Sequence, residues 1–158
     1  MSGANPAITT RRSPMYLRAF PMNAAAKRAQ PAPALSILVA DDEIDTVQTL
    51  AAILSDEGHT VHNVTHGSLV MDAVRRYKPH VCILDIEMPG KDGYVIAREI
   101  VTEFAGKGPR PLLIAISGRW KSQTDKMLAK MVGFDHFLVK PAEPQAIIDL
   151  LHDKPGFT

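Results

Sequence analysis

Four apolar residues run directly into three acids in the stretch Ile37-Leu38-Val39-Ala40-Asp41-Asp42-Glu43. A continuous apolar run of this kind is typical of a strand buried on both faces, as in parallel sheets. The acids that follow the strand lie at its carboxyl end, which is where ligands bind in open α/β sheets. The stretch therefore predicts a parallel α/β fold with a functional site at one edge of the sheet.

Three further apolar runs also end in polar groups. Residues 81–84 run into Asp85, residues 112–116 into Ser117, and residues 137–139 into Lys140. In a parallel sheet these ends meet at one edge, where they would bring together acids, a hydroxyl and an ammonium. Clustered carboxylates suit a hard divalent cation such as Mg²⁺, and the ammonium and hydroxyl suit a phosphoryl group.

Strand-like and helix-like patterns alternate from residue 35 onward. Strands are predicted over residues 35–40, 59–64, 80–84, 112–116 and 135–139, with a helix after each. Helical crossovers between parallel strands place helices on both faces of the sheet. We therefore predict an α/β, doubly wound, flavodoxin-like sheet of five parallel strands in the order 2-1-3-4-5, with five helices. In that order the reversal lies between the first and third strands, the two that carry the acids.

The fourth helix is predicted over residues 122–132, with Met127, Leu128 and Met131 facing inward because of their spacing.

Charge is unevenly distributed along the 158 residues. Residues 1–34 contain five basic residues and no acid, whereas residues 35–158 contain 13 basic and 17 acidic residues, a net charge of −4. An acidic domain is not typical of nucleic-acid binding. No apolar stretch approaches the roughly 18 residues that span a bilayer, so no membrane association is expected. The single Cys82 excludes an internal disulfide and favours a reducing, cytoplasmic location.

The basic segment 1–34 is rich in Pro, Ala and Arg without periodicity, and is predicted to be a disordered tail. Its composition also resembles a transit peptide, and Met15 or Met22 could be the true start; we favour a tail without function.

Four motifs, in this order, closely resemble the receiver domain of two-component response regulators. They are residues 37–43, Ile83-Leu84-Asp85-Ile86-Glu87-Met88-Pro89-Gly90-Lys91-Asp92-Gly93, Ile116-Ser117-Gly118, and Leu138-Val139-Lys140-Pro141. We place the receiver domain at residues 35–155.

The resemblance implies a phosphorylation site with Mg²⁺ as its cofactor. Asp85 would be the phosphoacceptor and would also contact the metal. Asp42 would bind Mg²⁺ directly, Asp41 directly or through water, and Glu87 through its backbone carbonyl.

The resemblance also implies roles for three residues near the ends of the last two strands. Lys140 would pair with a phosphoryl oxygen, and Ser117 would donate a hydrogen bond to another. Phe137 would be a switch aromatic, although a plain core phenylalanine is an open alternative. The Lys140–Pro141 bond is expected to be cis.

The function implied is that of a stand-alone signalling phosphoacceptor rather than an enzyme, with no output domain. A histidine kinase or histidine phosphotransfer protein would supply the phosphoryl group, and an unknown downstream protein would bind near the last two strands and helices. Trp120, Lys121 and Met127 are candidates for that surface. Glu87 and Arg119 are expected to flank the phosphoryl group and set its lifetime, although two solvated side chains that never meet are an open alternative.

Two other classes remain to be weighed. A phosphohydrolase of the haloacid dehalogenase type also places aspartates after an apolar strand, but it needs Asp-x-Asp, and the third position here is Glu43. A degenerate receiver that acts only as a binding scaffold would lack phosphorylation residues, whereas all of them are present.

Overall fold

Five strands and five α-helices alternate along residues 33–118 and 122–153, the parts of the chain that the computed structural model describes. The strands are β1 (Ser36–Ala40), β2 (Thr60–Val64), β3 (Val81–Asp85), β4 (Leu112–Ser117) and β5 (His136–Val139). The helices are α1 (Ile44–Asp56), α2 (Val70–Tyr77), α3 (Gly93–Phe104), α4 (Gln123–Val132) and α5 (Pro144–His152). A 3-10 turn, Gly67–Leu69, leads into α2.

All strand pairs are parallel, and their order is β2-β1-β3-β4-β5. The predicted doubly wound, flavodoxin-like sheet is therefore confirmed.

Alternate residues of the central strands face opposite sides of the sheet, which creates two apolar cores. Leu38, Cys82 and Leu113 are fully buried in the core that α2, α3 and α4 cover. Ile37, Ile83 and their neighbours are buried in the core that α1 and α5 cover. Burial on both faces explains why the strands read as continuous apolar runs in the sequence.

The strand register aligns the ends of β1, β3, β4 and β5. Ala40 pairs with Leu84, Asp85 pairs with Ile116, and Ser117 pairs with Val139. The polar residues at or just after these positions consequently meet at one edge of the sheet.

Side-chain caps begin two of the helices at this edge, α3 and α4. The Asp92 carboxylate accepts a hydrogen bond from the Val95 N–H at 2.9 Å and begins α3. Ser122 and Asp125 form a reciprocal capping box at the start of α4. Pro144 occupies the first turn of α5, as predicted, where a missing N–H costs no helical bond.

The prediction that Met127, Leu128 and Met131 face inward is wrong. Their exposed fractions are 67%, 45% and 80%. Helix α4 instead packs through Ala129, which is fully buried. The spacing of the three large side chains is compatible with a buried stripe, but the helix presents its small side chain to the core.

Several predictions fall on residues outside the described ranges. These are the nature of the basic tail over its residues 1–32 and the surface roles of Arg119, Trp120 and Lys121. Among the helices that are described, none has the length and apolar character needed to cross a bilayer.

Candidate functional site

Asp41 and Asp85 lie side by side at this edge of the sheet. Asp41 comes directly after β1, and Asp85 is the last residue of the neighbouring strand β3. Their exposed fractions are only 3% and 4%. Each carboxylate accepts a hydrogen bond on Oδ1 from the backbone N–H two residues later, from Glu43 at 2.9 Å and from Glu87 at 3.0 Å. These two bonds fix both carboxylates in one orientation.

Lys140 connects the two carboxylates. Its Nζ lies 2.8 Å from Asp41 Oδ2 and 3.1 Å from Asp85 Oδ2. The Lys140–Pro141 bond is cis, as predicted. The Lys140 backbone N–H donates to the Ser117 carbonyl at 3.0 Å, which ties this residue to the end of β4. The loop after β5 therefore places the Lys140 ammonium in contact with the acids at the ends of β1 and β3.

Burial and hydrogen bonding shift the pKa values of Asp85 and Lys140 in opposite directions. Burial raises the pKa of Asp85 to about 6, although hydrogen bonds from the Glu87 N–H and Lys140 favour its ionised form. Burial lowers the pKa of Lys140, but its hydrogen bonds with Asp41 and Asp85 outweigh that effect and leave the pKa raised. The buried carboxylate pair thus shares one ammonium, and the site retains an excess of acidic groups.

The acids fit a divalent cation. Asp41, Asp42 and Asp85 each offer a carboxylate oxygen, and these oxygens all lie within 4.8 Å of one another. Asp42 is exposed, whereas the other two are buried, so the cluster faces solvent on one side. Carboxylate oxygens with an open, wet side suit Mg²⁺, which keeps several of its waters. Among the described residues, Asp41, Asp42 and Asp85 form the cluster of metal-binding side chains that is close enough to hold one ion.

Ser117, Phe137 and Glu87 lie where the sequence places them, but their predicted roles stay predictions. Ser117 is buried at the end of β4 beside the backbone of Lys140. Phe137 lies in β5 opposite Ala115 and packs, partly buried, against the core under α2, α3 and α4. Glu87 is exposed on the loop after β3, and its proposed neighbour Arg119 lies outside the described ranges.

Contacts of three residues at this edge were missed by the sequence reasoning. Glu43 Oε2 lies 3.8 Å from Lys140 Nζ, a contact that depends on the fold and has no local sequence signal. Gly67 donates its N–H to the Pro89 carbonyl at 3.0 Å. The ring of His66 lies against Gly90. Gly67 lies three residues beyond the end of β2, and no local sequence pattern marks its close approach to Pro89.

Gly93 has a steric reason to be glycine. An added Cβ there would lie 2.8 Å from the Asp85 carbonyl oxygen and 2.8 Å from Ile86 Cα. Helix α3 can therefore begin directly against the end of β3 only because this position lacks a side chain.

Comparison with protein families gives one match that covers most of the chain. The model of the response regulator receiver domain matches residues 37–152. The chain belongs to the response regulator receiver family. Both the α/β order of this receiver and its acidic site agree with that membership, and the haloacid dehalogenase alternative is set aside.

Among curated proteins, the receiver is similar to the aerobic respiration control protein ArcA of Escherichia coli K12, with 32% identity over 111 residues. The match covers 70% of this chain but only 44% of ArcA, so the receiver spans less than half of that relative. It is also 29% identical to PilH of Pseudomonas aeruginosa, over 73% of this chain and 93% of PilH.

Solved structures show the same fold. The receiver matches chemotaxis protein CheY4 of Vibrio cholerae with a TM-score of 0.68 and 23% identity, over 76% of this chain and 98% of that one. A second match, with a TM-score of 0.72 and 18% identity, comes from the Saccharomyces cerevisiae co-crystal of the phosphotransfer protein Ypd1 with the receiver domain of Ssk1. That match covers 77% of this chain and 89% of the other.

Proposed function

We propose that this receiver accepts a phosphoryl group on Asp85 in the presence of Mg²⁺ and thereby switches a protein-interaction surface. The observation that carries the proposal is the buried pair of carboxylates, Asp41 and Asp85, held by one ammonium where the strand order reverses. A third acid, Asp42, lies exposed beside this pair, and the carboxylate oxygens of all three lie within 4.8 Å of one another.

The proposed reaction is a phosphoryl transfer between two residues. A carboxylate oxygen of Asp85 attacks phosphorus in a phosphohistidine, an O–P bond forms, and the N–P bond breaks. The histidine nitrogen leaves with the electron pair of that bond and regains a proton from solvent. The product on this chain is an acyl phosphate, so the reaction needs no oxidant or reductant.

This chain contributes mainly position and charge. The Glu87 N–H holds the Asp85 carboxylate through Oδ1 and leaves Oδ2 directed at Lys140. We assign Lys140 to a phosphoryl oxygen, where its ammonium would offset charge that builds up during transfer. Ser117 is assigned to donate a hydrogen bond to another phosphoryl oxygen. Mg²⁺, held by Asp41, Asp42, Asp85 and the Glu87 carbonyl, would offset the repulsion between the anionic carboxylate and the anionic donor.

The phosphodonor is proposed to be a histidine kinase or a histidine phosphotransfer protein. A cleft of about 540 Å³ opens beside the site, between α1 and α5. Glu43 and Lys140 line its end nearest the acids, and Leu50, Ile53 and Ile147 line its apolar part. A donor protein that packs apolar side chains there would bring its phosphohistidine next to Asp85.

The proposed output is a protein contact on the side of α4 and β5. Met127, Met131 and Val139 are 67%, 80% and 52% exposed there. Flexible methionine side chains on a surface adapt well to a partner. Phe137, in the same strand as Val139, is the proposed switch between this surface and the site.

The test is chemical phosphorylation of the purified protein. We would incubate it with acetyl phosphate, with Mg²⁺ or with a chelator, and measure its intact mass. The proposal expects the mass of one added phosphoryl group with Mg²⁺ and none with chelator. A receiver that serves only as a scaffold would gain no mass in either condition, and that result would contradict the proposal.

A further inference from the structure

The loop between Asp85 and α3, residues 86–92, is held from outside by a segment that lies far away in sequence. Gly67, just after β2, donates its N–H to the Pro89 carbonyl at 3.0 Å. Gly67 also lies so close to Lys91 that an added Cβ would be 2.8 Å from its carbonyl carbon and 2.9 Å from its backbone nitrogen. The β2–α2 turn is thus packed directly on the phosphorylation loop.

His66 makes the side-chain part of this contact. A Cβ added at Gly90 would lie 2.6 Å from Nδ1 and 2.9 Å from Nε2 of its imidazole ring. Gly90 has a φ of +87°, a conformation that glycine adopts without strain. The ring therefore fills the space that a side chain at Gly90 would take, and it rests on the bare backbone of the loop.

The orientation of the His66 ring is itself fixed. Nδ1 accepts a hydrogen bond from the Ser68 N–H at 3.3 Å and lies 2.6 Å from Ser68 Oγ. This bond caps the 3-10 turn Gly67–Leu69. His66 thus has two roles, since its Nδ1 caps the turn and its imidazole ring, nearest at Cε1, contacts Gly90.

The same loop is anchored a third time through Lys91. Its Nζ lies 2.9 Å from both carboxylate oxygens of Glu99 in α3. Pro89, Gly90 and Lys91 are therefore each held in place. The loop also carries the Glu87 N–H that orients the Asp85 carboxylate, so a displaced loop would displace that donor.

We propose that His66 is a positioning residue for phosphorylation: its ring holds the loop after Asp85 in the conformation that orients the carboxylate. This inference rests on the proposed function, since it concerns the same reaction. His66 does not touch the reacting atoms and acts through Gly90 and the loop.

Two variants separate the ring contact from the cap. His66→Asn keeps an acceptor for the Ser68 N–H but removes the ring from Gly90, whereas His66→Phe keeps a ring and loses the acceptor. We expect His66→Asn to be phosphorylated by acetyl phosphate about five- to tenfold more slowly at saturating Mg²⁺, because small displacements of reacting groups have large effects on rate. His66→Phe should stay within about twofold of the parent.

His80→Asn is the matched control. His80 Nδ1 also accepts a backbone N–H, from Ser36 at 2.9 Å, but at the opposite edge of the sheet. Its phosphorylation rate should equal that of the parent. The inference is overturned if His66→Asn is as fast as the parent, or if His66→Phe is slowed as much as His66→Asn. An unlabelled parent protein would instead refute the proposed function, and this inference with it.

A second measurement tests the contact without any phosphodonor. Gly90→Ala should destabilise the parent through both its φ and its overlap with the His66 ring, but should destabilise His66→Asn through φ alone. Urea unfolding of the two single variants and the double variant gives the coupling. If Gly90→Ala lowers the free energy of unfolding equally in the parent and in His66→Asn, the ring does not hold the loop.

Discussion

Lys140 provides the positive charge that compensates the two buried carboxylates of the site. Its ammonium lies within 3.1 Å of Asp85 and 2.8 Å of Asp41, while the backbone donors hold the other oxygen of each acid. Removing one member of a buried charge cluster leaves its partners uncompensated, which destabilises more than the intact cluster stabilises.

Replacing Lys140 with Gln should therefore lower the free energy of unfolding by about 1–3 kcal/mol when no divalent cation is present. Added Mg²⁺ should restore part of the loss, because a ligand that binds only the folded state stabilises it. Urea unfolding with chelator and with Mg²⁺ measures both effects.

Arg75→Gln is the control, because Arg75 pairs with Glu103 at the surface, with side chains 55% and 28% exposed. It should cost less than about 1 kcal/mol and should not respond to Mg²⁺. Equal losses for the two variants would show that Lys140 does not compensate the acids.

His59 gives the fold a pH dependence at the other edge of the sheet. It is 7% exposed, and its Nδ1 accepts the Leu35 N–H at 3.2 Å. Its Nε2 is buried, and no group of residues 33–118 or 122–153 makes a hydrogen bond to it. Burial lowers the pKa of His59, Glu57 opposes this, and His152 lowers the pKa further.

Because the folded state holds His59 neutral, the unfolded chain takes up the proton first as pH falls. The stabilising effect of the neutral form is present above about pH 6.5 and is lost as pH falls from there toward the lowered pKa of the folded state. Between about pH 7.5 and about pH 5.5, the parent should lose more stability than His59→Asn, which keeps an acceptor for Leu35. Identical pH profiles in urea unfolding would contradict this account.

Among the strands, β5 is the shortest, and an ion pair fastens its start to β4. Asp135 accepts hydrogen bonds from both terminal nitrogens of Arg110 at 2.9 Å and from the Leu113 N–H at 2.8 Å. Burial raises the pKa of Asp135, but these hydrogen bonds outweigh burial and leave it lowered. The pair therefore sets the position from which β5 leads to Lys140.

Arg110→Gln should lower the free energy of unfolding by about 1–2 kcal/mol, because it breaks charge-assisted bonds to a half-buried carboxylate. Arg75→Gln is the matched control: Arg75 also bonds a carboxylate through two nitrogens, on Glu103, but its side chain is 55% exposed. The control should lose less than about 1 kcal/mol. Thermal or urea unfolding that shows no difference between the variants would refute the anchoring role of Arg110.

Helix α4 offers a direct check of the corrected burial. Met131→Gln should change the free energy of unfolding by no more than about 0.5 kcal/mol, because the side chain is exposed. Ala129→Leu should cost about 1–3 kcal/mol by overpacking a fully buried position. If Met131→Gln destabilises the protein as strongly as Ala129→Leu does, then Met131 faces the core and the burial described here is wrong.

The same helix shows where sequence reasoning reached its limit. Strands buried on both faces have a continuous apolar signal, so β1, β3 and β4 and the polar residues at their ends could be predicted. In α4 the one fully buried side chain is Ala129, Val132 is partly buried, and the larger Met127, Leu128 and Met131 are exposed. Contacts between distant loops, such as Glu43 with Lys140 and His66 with Gly90, have no local pattern and emerge only once the chain is folded.

Across the whole sheet, the site exists because four strand ends share one edge. The reversal of strand order between β1 and β3 brings Asp41 next to Asp85, and β5 contributes Lys140 by way of its following loop. No two of these three residues are close in sequence. This shared edge is therefore the reason why Asp85 is proposed to be the phosphoacceptor.

The most direct test is intact-mass analysis of Asp85→Asn after incubation with acetyl phosphate and Mg²⁺. Asp45→Asn serves as the control, since Asp45 is an exposed acid in the first turn of α1. Circular dichroism would first establish that both variants are folded. The account predicts one added phosphoryl group on the parent and on Asp45→Asn, and none on Asp85→Asn. Labelling of Asp85→Asn to the same extent as the parent would contradict it.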